Sequence, residues 1–167
     1  MKIFGLAGWS GSGKTTLVCQ LIPELVSRGI RVSTLKHAHH NFDVDQPGKD
    51  SYEHRQAGAS EVMVSSGIRW ALMHELRGDP EPGVEDLVGR MSPVDLVLIE
   101  GFKTAAHPKL EVFRPEIGKP LLCTQDPNIV AIACSQPLQL ADLPQLDLND
   151  TGVIADFIIA HCGLANG

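Results

Sequence analysis

No stretch of this chain approaches the ~20 consecutive apolar residues that a membrane-spanning helix needs, because charge interrupts every apolar run within a few residues. No membrane partner is expected. Lysine and arginine are outnumbered: the formal charge is −6 and no basic cluster offsets it locally. A nucleic-acid backbone, which demands a positive surface, is therefore not an expected partner. Cysteine is sparse, at Cys19, Cys123, Cys134 and Cys162, with no CxxC pair. That excludes a dense disulfide framework and predicts buried thiols in a reducing compartment. The opening apolar segment breaks at Gly8 and lacks the long run and cleavage site of a secretion signal, so the expected location is the cytoplasm. Internal repeats and low-complexity tracts are also missing.

What is present is an ordinary globular composition, 43% apolar and 20% charged over 167 residues. Against a prior of roughly 150 residues per domain, this predicts one domain spanning residues 1–167, with a β-rich excursion near 59–77. Lys2 to Ala7 reads as a short strand, and Thr15 to Arg28 carries Leu17, Val18, Leu21, Ile22, Leu25 and Val26 at helical spacing. Pro23 inside that helix predicts a bend or a lost hydrogen bond. Arg31 to Lys36 returns as a strand, completing a βαβ unit and implying a parallel sheet. After a polar loop, a short helix is expected near Ser51 to Ala57. Glu61–Ser65 and Ile68–His74 then read as a hairpin added antiparallel to the sheet. Val84 to Met91 reads as helix, and Leu96 to Ile99 as a buried parallel strand. Leu110–Phe113, Pro120–Thr124 and Ile129–Ala133 read as further strands, and Val153–His161 as a closing helix. The fold class is α/β, P-loop NTPase-like: a mostly parallel sheet flanked by helices, with an antiparallel segment.

Gly8-Trp9-Ser10-Gly11-Ser12-Gly13-Lys14-Thr15 satisfies GxxxxGK[ST], between a strand and a helix as that motif requires. Its glycines let backbone N–H groups converge on anionic oxygens, and the helix that follows points its positive end at the same place. Gly8, Ser10, Gly11, Ser12, Gly13, Lys14, Thr15 and Thr16 are thus the candidate nucleotide contacts. Lys14 is expected to reach the β- and γ-phosphates and Thr15 to ligate Mg²⁺. A metal acid is also required, and functional groups in parallel sheets gather at the carboxyl ends of strands. Glu100 ends its strand whereas Asp95 precedes it, so Glu100 is the candidate metal and catalytic carboxylate.

Lys36-His37-Ala38-His39-His40, followed by Asp43 and Asp45, admits three readings: a zinc or nickel cluster, a switch-like loop in which an aspartate such as Asp45 holds a metal-bound water, or a polar surface loop.

These segments, GWSGSGKTTL at 8–17, KHAHH at 36–40, DVDQPGKDSYEHRQAGA at 43–59, EGFK at 100–103 and PKLEVFR at 108–114, follow one family's order. The chain resembles the MobB family of molybdopterin-guanine dinucleotide biosynthesis adaptor proteins over most of its length. The resemblance implies a homodimeric, weakly hydrolysing GTP-binding protein with Mg²⁺. It also implies work with a MobA-type guanylyltransferase that attaches GMP to molybdopterin, which makes molybdopterin or its molybdenum form a candidate ligand. Subunit pairing through the strands after Ala59 belongs to the same implication. Guanine rests on this likeness, since the NKxD signature is absent. Asp126, after the strand expected at 120–123, is either a guanine reader or part of an Asp126-Pro127 turn, and Lys103 is a candidate phosphate or partner contact. A small-molecule kinase and a metal-delivery GTPase remain as alternatives.

Overall fold

Strands that alternate polar and apolar residues bury one face, whereas strands with continuous apolar runs need cover on both. Both kinds of burial occur in this chain, in two separate sheets. The computed structural model describes residues 1–38, 42–102, 104–139 and 142–165. In chain order its elements are β1 (Lys2–Ala7), α1 (Lys14–Ser27), β2 (Val32–Lys36), α2 (Asp50–Gln56), β3 (Glu61–Ser65), β4 (Trp70–His74) and α3 (Val84–Gly89). There follow β5 (Leu96–Glu100), β6 (Lys109–Phe113), a 3₁₀ turn (Pro115–Ile117), β7 (Ile129–Cys134), β8 (Gln145–Asp147) and α4 (Thr151–Cys162). They group into two compact units, Met1–His37 with Val84–Gly167, and Ala38–Gly83.

The first unit is a six-stranded parallel sheet in the order β2-β5-β1-β6-β7-β8. Phe4, Leu6, Leu98 and Leu110 face the layer of α1 and α4, where they meet Leu21, Ile154 and others, all essentially inaccessible. Each such side chain contributes about 1.5–3 kcal/mol of burial. Val97 and Ile99 point the other way, onto Val84 and Val88 of α3. Asp150 caps α4, accepting from the Val153 amide at 3.0 Å, which stabilises a helix by about 1 kcal/mol. Because β1 lies between β5 and β6, the connections diverge at its carboxyl end, where ligands bind in open α/β sheets.

The second unit holds α2 and a two-stranded antiparallel sheet, Glu61↔His74 to Ser65↔Trp70. The hairpin expected to extend the main sheet is therefore a sheet of its own. Its strands show why: only Val62 is buried, while Met63, Trp70 and Leu72 are exposed. A pattern buried on one side suits packing against α2, not the interior of a parallel sheet. Arg55 of α2 organises this unit, pairing with Asp43 and Asp45 at 2.7 Å each and with Glu75 at 3.3 Å, and lying over the Tyr52 ring.

Two further expectations need correction. Pro120–Thr124 is not a strand. The fully buried Glu111 carboxylate accepts from the amides of Leu122 at 2.7 Å and Cys123 at 2.9 Å, and Thr124 and Gln125 turn back onto Leu121 and Leu122. Those amides, already bonded, are not offered to a neighbouring strand. The thiols are also not uniformly buried: Cys134 and Cys162 are, Cys123 is half-buried and Cys19 is exposed on α1, all of them free.

Candidate functional site

The loop between β1 and α1 sits at the carboxyl edge of the sheet, and its glycines are there for space and for backbone shape. Gly8 has φ +145, and a Cβ on it would stand 2.6 Å from the Val112 carbonyl and 2.7 Å from Ser12 Oγ. Gly13, with φ +96, is the left-handed residue that opens α1. Any other residue at either place would strain the loop. Ser12 is 1% exposed and its Oγ has no hydrogen-bond partner, an orphaned hydroxyl in a protein interior where polar atoms are nearly always satisfied.

Lys14 folds back over this loop, its Nζ donating to the carbonyls of Gly8 and Trp9 at 2.9 Å each. The ammonium is thus held beside the amides that would receive phosphate oxygens. Thr15 Oγ1 donates to Glu100 Oε1 at 2.9 Å. The side chains named from the motif and from strand polarity therefore meet across 85 positions of sequence, because β1 and β5 run parallel with Leu6 opposite Glu100. A hydroxyl and a carboxylate in contact at the head of an anion nest are a hard-oxygen pair of the kind Mg²⁺ takes. The second Glu100 oxygen is 3.7 Å from Lys36 Nζ. Asp95 lies at the other end of β5. It is clasped by Arg31 through Nε at 3.1 Å, Nη2 at 3.0 Å and the backbone amide at 2.9 Å, hydrogen bonds that hold its carboxyl below the usual range.

The remaining predicted positions have other neighbours. Asp45 lies in the second unit, nearly buried and paired with Arg55, whose basicity is raised first by Asp45 and then by Asp43 against the cost of burial. Asp126 comes before β7, so it stands at the amino edge of the sheet. It binds Lys109 Nζ at 2.7 Å and the Asn128 amide at 2.9 Å. Burial opposes its ionisation, but Lys109 and Asn128 outweigh that and lower its pKa. These bonds form the turn expected of Asp126-Pro127. His37 leans on the Phe102 ring, while His39, His40 and Lys103 lie outside the described residues, so the histidine cluster and the lysine of EGFK fall there too.

Sequence reasoning missed several contributors. Trp9, inside the loop, donates from Nε1 to the Pro120 carbonyl at 2.7 Å and lies beneath Lys119. Arg114, one residue past β6, donates from Nε to the Ser12 carbonyl at 3.1 Å. Lys109 and Glu111 are buried charges on one face of β6, 1% and 0% exposed, and alternation within KLEVF was the available signal. Gly5 lies in β1 because a Cβ there would come within 2.4 Å of His107 Nε2 and 2.9 Å of Lys109 Cγ.

A family model described as molybdopterin guanine dinucleotide synthesis protein B (MobB) matches residues 3–135. The molybdopterin-guanine dinucleotide biosynthesis adapter protein of Escherichia coli K12 is 45% identical over 170 residues, covering 100% of this chain and 97% of its own. Its Haemophilus influenzae counterpart is 45% identical over 161 residues, covering 95% and 88%. Among solved structures, a molybdopterin-guanine biosynthesis protein B superposes with TM-score 0.75 at 26% identity, covering 95% of this chain and 99% of that one. A MobB homologue from Bacillus stearothermophilus gives 0.73 at 25%, covering 98% and 99%.

Proposed function

From the premise that this chain belongs to the MobB family of molybdopterin guanine dinucleotide synthesis proteins, we propose that it binds GTP and Mg²⁺ at the Gly8–Thr16 loop. We further propose that it assists a MobA-type guanylyltransferase in joining GMP to molybdopterin. The observation that carries the nucleotide reading is the Thr15–Glu100 contact beside the glycine loop. Backbone amides of Gly11 to Thr16 would hold the β-phosphate region, Lys14 would exchange its loop carbonyls for phosphate oxygens, and Thr15 with Glu100 would hold the metal. Bound Mg²⁺ supplies charge neutralisation between the terminal phosphates. Asp45, the other carboxylate considered for hydrolysis, is held by Arg55 within its own unit, and the proposed output is assistance and not turnover.

A homodimer is part of the proposal, supported by the exposed Met63, Trp70 and Leu72 on one face of the β3–β4 hairpin. Guanine preference rests on family membership alone. The deciding experiment reconstitutes dinucleotide formation from molybdopterin, GTP and the guanylyltransferase, with and without this protein, alongside GTP and ATP titrations. Faster formation and tighter GTP binding are expected. Equal affinity for both nucleotides together with an unchanged rate overturns the proposal.

A further inference from the structure

Arg28, Arg31 and Arg55 each face carboxylates. Arg114 does not: half-buried, it has no carboxylate partner among the described residues, and its Nε is bonded to the Ser12 carbonyl. A Cβ built on Gly13 would sit 3.5 Å from Arg114 Nε and 3.6 Å from Nη2, so the guanidinium lies against the residue that opens α1. Register explains the meeting. β6 runs parallel to β1 with Ala7 opposite Glu111, and the chain leaving β6 therefore passes the loop leaving β1. Glu100 reaches the same loop from β5, on the opposite flank of β1. A half-buried cation without a counter-charge is unfavourable until an anion arrives.

The geometry points to Arg114 as a further positioning residue of this site. It fixes the loop through the Ser12 carbonyl and lends a permanent positive charge to the phosphate tail of a nucleoside di- or triphosphate, from the flank opposite the metal acid. This rests on the nucleotide-binding reading above. Its two contributions separate chemically: lysine keeps the charge and loses the planar Nε–H, while glutamine loses the charge and keeps a donor.

The test is calorimetric titration of the whole protein with GMP, GDP and GTP in Mg²⁺ at low and high salt. The proteins are the wild type, Arg114→Gln, Arg114→Lys and the exposed control Arg90→Gln, each with its thermal midpoint measured. Arg114→Gln is expected to weaken GTP binding by about tenfold or more, GDP binding less and GMP binding least, and to flatten the salt dependence. Arg114→Lys should recover part of the loss, and Arg90→Gln should match the wild type. Equal losses for all three nucleotides with an unaltered salt slope would reduce Arg114 to a scaffold brace, and no loss in either variant would remove it from the site. If the glutamine variant does not fold, the lysine variant decides by the same ladder of phosphate number. A wild type that binds none of the three would instead defeat the nucleotide reading itself.

Discussion

Glu100 and Asp95 are carboxylates at opposite ends of one strand, and their neighbours assign them different work. Glu100 meets Thr15 and Lys36, whereas Asp95 is consumed by Arg31. Glu100→Gln should therefore weaken Mg²⁺-dependent GTP binding by about tenfold, and Asp95→Asn should leave it near wild type, as measured by titration with and without EDTA. The reverse order would mean that the metal edge of the sheet has been misidentified. Lys14→Ala should cost roughly 10- to 100-fold in GTP affinity with little change in circular dichroism, since the Lys14 ammonium is bonded to loop carbonyls. The meeting of Thr15 with Glu100 beside Lys14 was legible in the sequence, where a motif fixes spacing and strand polarity fixes an edge. Arg114 and Trp9 escaped because neither has a spacing rule: they join the loop through strand register and a distant turn, which only the folded chain brings together.

At the scale of elements, the long apolar runs of β1, β5 and β7 and the periodicity of α1 and α4 were legible because burial on both faces or along one stripe leaves its mark on every residue. The stretch 120–124 was misread because apolar content resembles a strand whether its amides pair with backbone or with a carboxylate. Glu111 makes the difference, so Glu111→Gln, which turns one acceptor oxygen into a donor facing an amide, should destabilise by about 1–3 kcal/mol. Amide exchange should show the loss concentrated at Leu122 and Cys123, and uniform loss across the sheet would mean that Glu111 acts through the core instead. The β3–β4 hairpin was legible as a hairpin, but its separation from the main sheet was not, because pairing partners are a matter of topology. β8 was missed as a strand of only three residues.

For the whole molecule, the buried imidazole of His107, two residues ahead of β6, ties stability to pH. Burial, and then the neighbouring Lys109 ammonium, hold the His107 pKa below 6.5. The unfolded chain then takes up a proton that the folded chain refuses, so this contribution is complete above about pH 6.5 and is lost as pH falls through the window beneath it. Urea unfolding from pH 7.5 to 5 should show declining stability in the wild type and a shallower decline in His107→Gln, and parallel curves would exclude His107 as the source. Each compact unit also carries a single tryptophan, Trp9 within the glycine loop and Trp70 on the hairpin. The indole of Trp9 is anchored to Pro120 and capped by Lys119, so its emission colour follows the state of that loop. Replacing Trp70 with phenylalanine leaves a built-in optical gauge of the loop, and replacing Trp9 leaves one for the hairpin, with no dye attached to either.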